Sequence, residues 1–147
     1  MAAPPVAAPP PIAPPMPTAV DPHGIGMAVA RLGNSAKKAG KVSLGIASVL
    51  LEPGELVECI IAGKVNDLDG LGVLTDRRLL ILNDRQFQPD TLSFVVDAQL
   101  YVQGIAEGTT ATLTFQREGQ VAQVARVADV TLAQELAQRV RARAAAG

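Results

Sequence analysis

The sequence predicts a mainly β domain of α+β class: seven short antiparallel strands, a C-terminal helix over them and short helices in front. Three observations carry that expectation. From Leu56 onward, runs of β-prone residues are separated by Gly, Asn and Asp clusters. One run, Thr112-Leu113-Thr114-Phe115, alternates polar and apolar residues as a sheet with one wet face does. The chain then closes on Leu132, Leu136 and Val140, an apolar stripe at helical spacing. A length of 147 residues suits one core plus an appendage, because single cores usually take roughly 100 to 150 residues.

Residues 1–22 hold nine of the eleven prolines, interleaved with Ala. Such a segment buries too little apolar surface to offset its ordering entropy, so it reads as a disordered, extended arm with a polyproline-II bias. Pro11-Ile-Ala-Pro14 has PxxP spacing, but that match arises easily in a Pro-dense tract and the arm reads as a linker. Residues 23–51 form a second, helical unit. Ile25, Val29 and Leu32 recur at i, i+4, i+7, and Val42, Ile46, Val49 and Leu50 fall on one face, so two short helices are expected with a break at Gly33-Asn34-Ser35. Lys37, Lys38 and Lys41 lie in or beside that break. They read as solvated surface, with contact to anionic lipid as the alternative.

The domain proper spans 52–147 and opens on Glu52-Pro53-Gly54-Glu55, where Pro suits the second turn position and Gly accepts positive φ at the third. The expected strands are 56–62, 71–75, 78–82, 92–96, 100–102, 111–115 and 121–127. Turn clusters lie between them at Asn66-Asp67-Leu68-Asp69-Gly70, Asn83-Asp84 and Arg117-Glu118-Gly119-Gln120, with Glu118-Gly119 the tightest. Asp129 or Thr131 caps the final helix, and Thr131-Leu-Ala-Gln134 has capping-box form. Arg139, Arg141 and Arg143 in its last turns complement the partial negative charge of a helix end and need no ligand.

Composition excludes several classes of function. The charge balance, 13 Lys+Arg against 14 Asp+Glu, gives no basic field of the kind nucleic acid requires. No signal peptide or membrane-spanning run is indicated, and the single Cys59 reads as a core residue, so a reducing cytoplasm is the expected compartment. A thiol nucleophile needs a nearby base, yet the only histidine, His23, sits beside the arm. No cofactor or metal is expected. Cys and His pairs are absent, Asn66 to Gly70 lacks the ligand pattern of a calcium loop, and Gly24-Ile-Gly26 and Gly70-Leu-Gly72 lack a phosphate-loop context. Thr75, Asp76, Arg77 and Arg78 read as a polar hairpin.

Two stretches go further. Leu51-Glu-Pro-Gly-Glu55, and Gly72-Val-Leu-Thr-Asp-Arg-Arg-Leu-Leu-Ile-Leu82 across the second and third strands, resemble bacterial pleckstrin-homology (PH) domains of the YokE-like type. In that family a helix often precedes a "pGE" turn, and an "lTdrRl" hairpin is the most recognisable stretch. The resemblance covers residues 43 to 143. It implies a PH-like seven-stranded barrel or sandwich whose open end is plugged by the C-terminal helix, and a cytoplasmic adaptor-like domain with no catalytic residues. Some relatives form homo-oligomers. The chain departs from phosphoinositide-gripping relatives at the first hairpin, where Lys64 is followed by Asn66, Asp67 and Asp69, whose carboxylates oppose a phosphate. The expected function is thus a non-catalytic interaction module that receives a protein or peptide on its surface or at an exposed sheet edge. Weak binding to an anionic membrane through Lys37, Lys38 and Lys41 is the alternative, and an enzyme without linear signature the least favoured reading.

Overall fold

Each of the seven β-prone runs becomes a strand, and all seven join in one antiparallel sheet. The computed structural model describes residue 21 and residues 23–146; the expected arm and its PxxP motif otherwise lie outside that range. The strands are β1 (Val57–Val65), β2 (Leu68–Thr75), β3 (Leu79–Asn83), β4 (Thr91–Phe94), β5 (Tyr101–Glu107), β6 (Thr110–Arg117) and β7 (Gln120–Val127). The helices are α1 (Ile25–Ala30), α2 (Asn34–Ala39), α3 (Lys41–Leu50) and α4 (Val130–Ala146). The fold is therefore mainly β with α+β composition, consistent with a PH-like sandwich.

Strand order is β4-β3-β2-β1-β7-β6-β5. β1 pairs with β2 along its whole length but meets β7 at Lys64↔Ala125 alone. That single joint divides the sheet into two halves, β1–β4 and β5–β7. Helix α4 lies against β1, β5 and β6, and so covers both halves. Its buried stripe is Leu132, Leu136 and Val140, widened by Ala133 and Ala137. Between the layers lie Phe94, Phe115, Ile60, Ile61, Leu71, Leu74, Leu79 and Leu82, all fully buried, each worth roughly 1.5–3 kcal/mol of burial.

Hairpin chemistry sets the register. Asn66 and Asp67 both take positive φ (52° and 65°), as do Glu118 and Gly119 (49° and 83°). This is the type I′ pattern, which matches the right-handed twist of the flanking strands. The first turn is therefore two residues long, shorter than the Asn66–Gly70 cluster suggested. Asp69 and Gly70 belong to β2, opposite Lys64 and Gly63.

The N-terminal segment corrects the sequence reading. There are three helices, because Gly40 adds a second break and Asn34 and Ser35 start α2. A methyl on Gly40 would lie 3.0 Å from Leu71 Cδ2, so glycine permits the close approach. α1 and α2 pack on β1, and α3 packs on β2 and β3. α3 also turns a different face inward. Its buried residues are Ser43 and Ala47, whereas Val42 is 59% and Val49 82% exposed. Small side chains let the helix approach the sheet, and Ser43 Oγ donates to the Asp69 carbonyl at 3.3 Å.

The expected capping box is also not used. Thr131 lies inside α4, and the preceding Asp129 accepts the Gly33 amide (3.3 Å) through its carboxylate. The helix-end arginines have specific partners. Arg143 pairs with Glu58 (2.7 Å) and donates to the Thr75 carbonyl (2.7 Å), while Arg139 lies 3.2 Å from Glu135 and 3.7 Å from Glu58. No helix among the described residues is long and apolar enough to cross a membrane.

Candidate functional site

A polar constellation around Glu55, Thr75 and Arg78 is consumed by the fold. In the Glu52–Glu55 turn Gly54 takes φ 80° and the Glu55 amide donates to the Glu52 carbonyl (3.0 Å), closing a type II bend that drops Glu55 inward. The fully buried Glu55 carboxylate accepts from Arg78 Nε and Nη2 (2.9 Å each), Thr75 Oγ (2.6 Å) and the Glu52 amide (3.0 Å). Burial pushes its pKa up, but the hydrogen bonds from Arg78, Thr75 and the Glu52 amide outweigh that and leave it at about 2. Thr75 Oγ also accepts the amides of Arg77 (3.1 Å) and Arg78 (3.0 Å), and Asp76 accepts the Leu56 amide (2.9 Å). His23 Nδ1 donates to the Glu55 carbonyl (2.7 Å). Cys59 is buried in the core, and burial, aided by the Glu135 charge, pushes its thiol up to about 12. Among the described residues, no three His, Cys, Asp or Glu side chains converge as metal ligands would.

What the fold leaves open is an edge. β4 and β5 end the sheet on its two sides. β4 has four residues, and short edge strands resist further pairing; β5 has seven and is exposed along nearly its whole length. Gly108 (φ 62°) opens the two-residue turn to β6, so Glu107 and Thr110 form the hydrogen-bonded pair beside it. Alternation then turns the amides and carbonyls of Gln103 and Ile105 toward β6 and those of Val102, Gly104 and Ala106 outward. Arg141 reports this directly, because its guanidinium donates to the outward Val102 carbonyl at 3.2 Å.

Beside that edge runs a cleft of about 250 Å³ between β5 and α4. Gly104, Ala106 and Ala111 line one wall and Ala133 and Ala137 the other, with Gln134 and Arg141 at its rim. Ile105, Leu113 and Val130 also line it, and a methyl on Gly104 would lie 3.1 Å from Leu113 Cδ2. Also on β5, Tyr101 is 70% exposed and Ile105, which touches the cleft, 48%. The strand expected at 100–102 runs on to Glu107, through Gly104. The Gly108-Thr109 turn was the signal that could have extended it.

Lys37 and Lys38 lie on α2 and Lys41 at the first turn of α3. None makes an ion pair among the described residues, whereas Arg31, Lys64, Arg77, Arg78, Arg85, Arg117, Arg139 and Arg143 all do. The lysines are remote in sequence from β5. A third feature is the loop after β3, where Asn83 and Asp90 clamp the base through three hydrogen bonds and the Phe87 side chain at the tip is 98% exposed.

Comparison with protein-family models, curated proteins and solved structures finds no match for this chain. The functional reading therefore rests on the open β5 edge and its cleft.

Proposed function

We propose that this chain is a non-catalytic interaction module, a PH-like domain of the bacterial type, that takes up an extended peptide as an eighth strand on β5. The observation that carries the reading is the row of outward backbone groups at Val102, Gly104 and Ala106 beside the apolar cleft between β5 and α4. Strand addition draws affinity from main-chain hydrogen bonds and specificity from pockets that take alternate side chains. A guest on β5 would point every second side chain toward α4, where the cleft has room for a small or medium aliphatic group. It would also compete with Arg141 for the Val102 carbonyl, freeing the guanidinium for a carboxylate on the guest.

Random peptides displayed on phage and selected on the full chain test this. Enriched sequences are expected to have an aliphatic residue at alternate positions and an acidic neighbour. Ala106→Pro removes one outward N–H and leaves the β5–β6 ladder intact, since proline is tolerated where an edge amide faces solvent. The variant is expected to keep its melting temperature within a few degrees and to lose at least about tenfold in peptide affinity, the weight of one or two main-chain hydrogen bonds and a displaced backbone. Equal affinity in the folded variant would rule out strand addition on β5.

A further inference from the structure

We infer that α2 and the outward face of α3 form a docking surface for an anionic lipid bilayer, independent of the β5 edge. Between Asp21 and Glu52 the chain has no acidic residue, although it carries a net charge of −1 overall. Four of the thirteen Lys and Arg residues, Arg31, Lys37, Lys38 and Lys41, therefore lie in a stretch with no carboxylate of its own. Lys37, Lys38 and Lys41 are the lysines of that segment, and none is ion-paired among the described residues, whereas the remaining lysine, Lys64, pairs with Asp69. The helix dipole accounts for Lys37 and Lys38 in the last turn of α2. It does not account for Lys41, which opens α3, where the dipole repels a cation.

The apolar half of the surface lies on the same helix. Val42 and Val49 are two turns apart, about 10 Å along the axis, and both face solvent. Half-buried Ile46 lies between them along the axis but packs in part against the core, and at Gly45 a methyl would meet nothing within 4 Å. A stripe of aliphatic side chains bordered by lysines is the pattern of helices that rest in a headgroup region, apolar face down. The segment from Gly24 to Leu51 contains no Phe, Tyr or Trp, so insertion there is shallow and aliphatic and the lysine charge carries the attraction. Diffuse cation contact plus shallow aliphatic insertion suits a bilayer better than a protein pocket.

The test is sedimentation of the full chain with vesicles of phosphatidylcholine alone and of phosphatidylcholine with one-third phosphatidylglycerol. Binding is expected only to the anionic vesicles, and it should weaken as salt rises. Changing Lys37, Lys38 and Lys41 together to Gln should lower affinity by about a hundredfold, the weight of three basic residues near an anionic surface. Val42→Ser with Val49→Ser should lower it by about tenfold or more. Lys37 is half-buried and the other four are exposed, and circular dichroism will report whether each variant folds; the lysine set stands alone if the valine set does not. No binding, equal binding to neutral vesicles, or unchanged binding in the folded lysine variant would overturn the inference. So would a shift from dimer to monomer in the valine variant by sedimentation velocity, which would assign the stripe to a second copy of the chain.

Discussion

Replacing Arg78 with Met is expected to destabilise the domain by about 3–5 kcal/mol, because it strips the charged partner from a carboxylate that has no access to water. Glu55 would keep its bonds from Thr75 and the Glu52 amide, which are too few for a buried charge. The double variant Glu55→Leu, Arg78→Met should recover much of the loss, since an apolar pair leaves no charge unpaired. Thr75 Oγ can then turn to the Arg78 carbonyl, already 3.2 Å away. Urea unfolding of the single and double variants at pH 7 measures the coupling. The pH dependence has a definite sign. Glu55 ionises at about 2 in the folded chain against an ordinary 4.5, so its contribution is present above about pH 4.5 and is lost as pH falls toward 2. Glu135, held at about 2 by Arg31 against opposing burial, adds to the same window. In Arg78→Met the unpartnered carboxylate takes up its proton more readily, so the gap between variant and parent should narrow in acid.

Gly63→Ala is expected to cost about 3 kcal/mol or more. A methyl there would run into the Ala125 carbonyl oxygen and lie 3.0 Å from Val124 Cγ1 and 3.1 Å from Val127 Cγ2. Side chains can give way at modest cost, but a carbonyl on the neighbouring strand cannot move without opening the ladder. That ladder is the Lys64↔Ala125 pair, the only register contact between β1 and β7. The substitution therefore strikes the joint between the two halves of the sheet. Gly45→Ala is the matched control. It sits inside α3 facing open space and should raise stability by about 0.5–1 kcal/mol through helix propensity. Thermal melts of the two variants should move in opposite directions.

Strands were legible in the sequence where β-branched and aliphatic residues crowd between residues that accept positive φ, as around Asn66-Asp67 and Glu118-Gly119. They were less so where a small residue does the packing. Gly104 looks like a break in isolation, yet in β5 it fits against Leu113 and opens the cleft. The same physics misplaced the face of α3. Hydropathy ranks Val42 and Val49 above Ser43 and Ala47, but a helix lying close on a sheet selects short side chains, and Ser43 adds a hydrogen bond to Asp69. The two stretches that suggested the PH resemblance meet through Glu55 and Arg78, so they form one hydrogen-bonded unit. The lysines could be singled out from local composition. The binding edge could not be assigned residue by residue, because which amides of β5 face outward depends on a register set by β6 and on β5 ending the sheet.

Amide hydrogen exchange along β5 tests the open edge most directly. In the free chain Gln103 and Ile105 should be protected, while Val102, Gly104 and Ala106 exchange orders of magnitude faster, and a selected peptide should slow that second set alone. Uniform protection of all five before any peptide is added would mean that the edge is already covered, and the account of it as a receiving strand would fail.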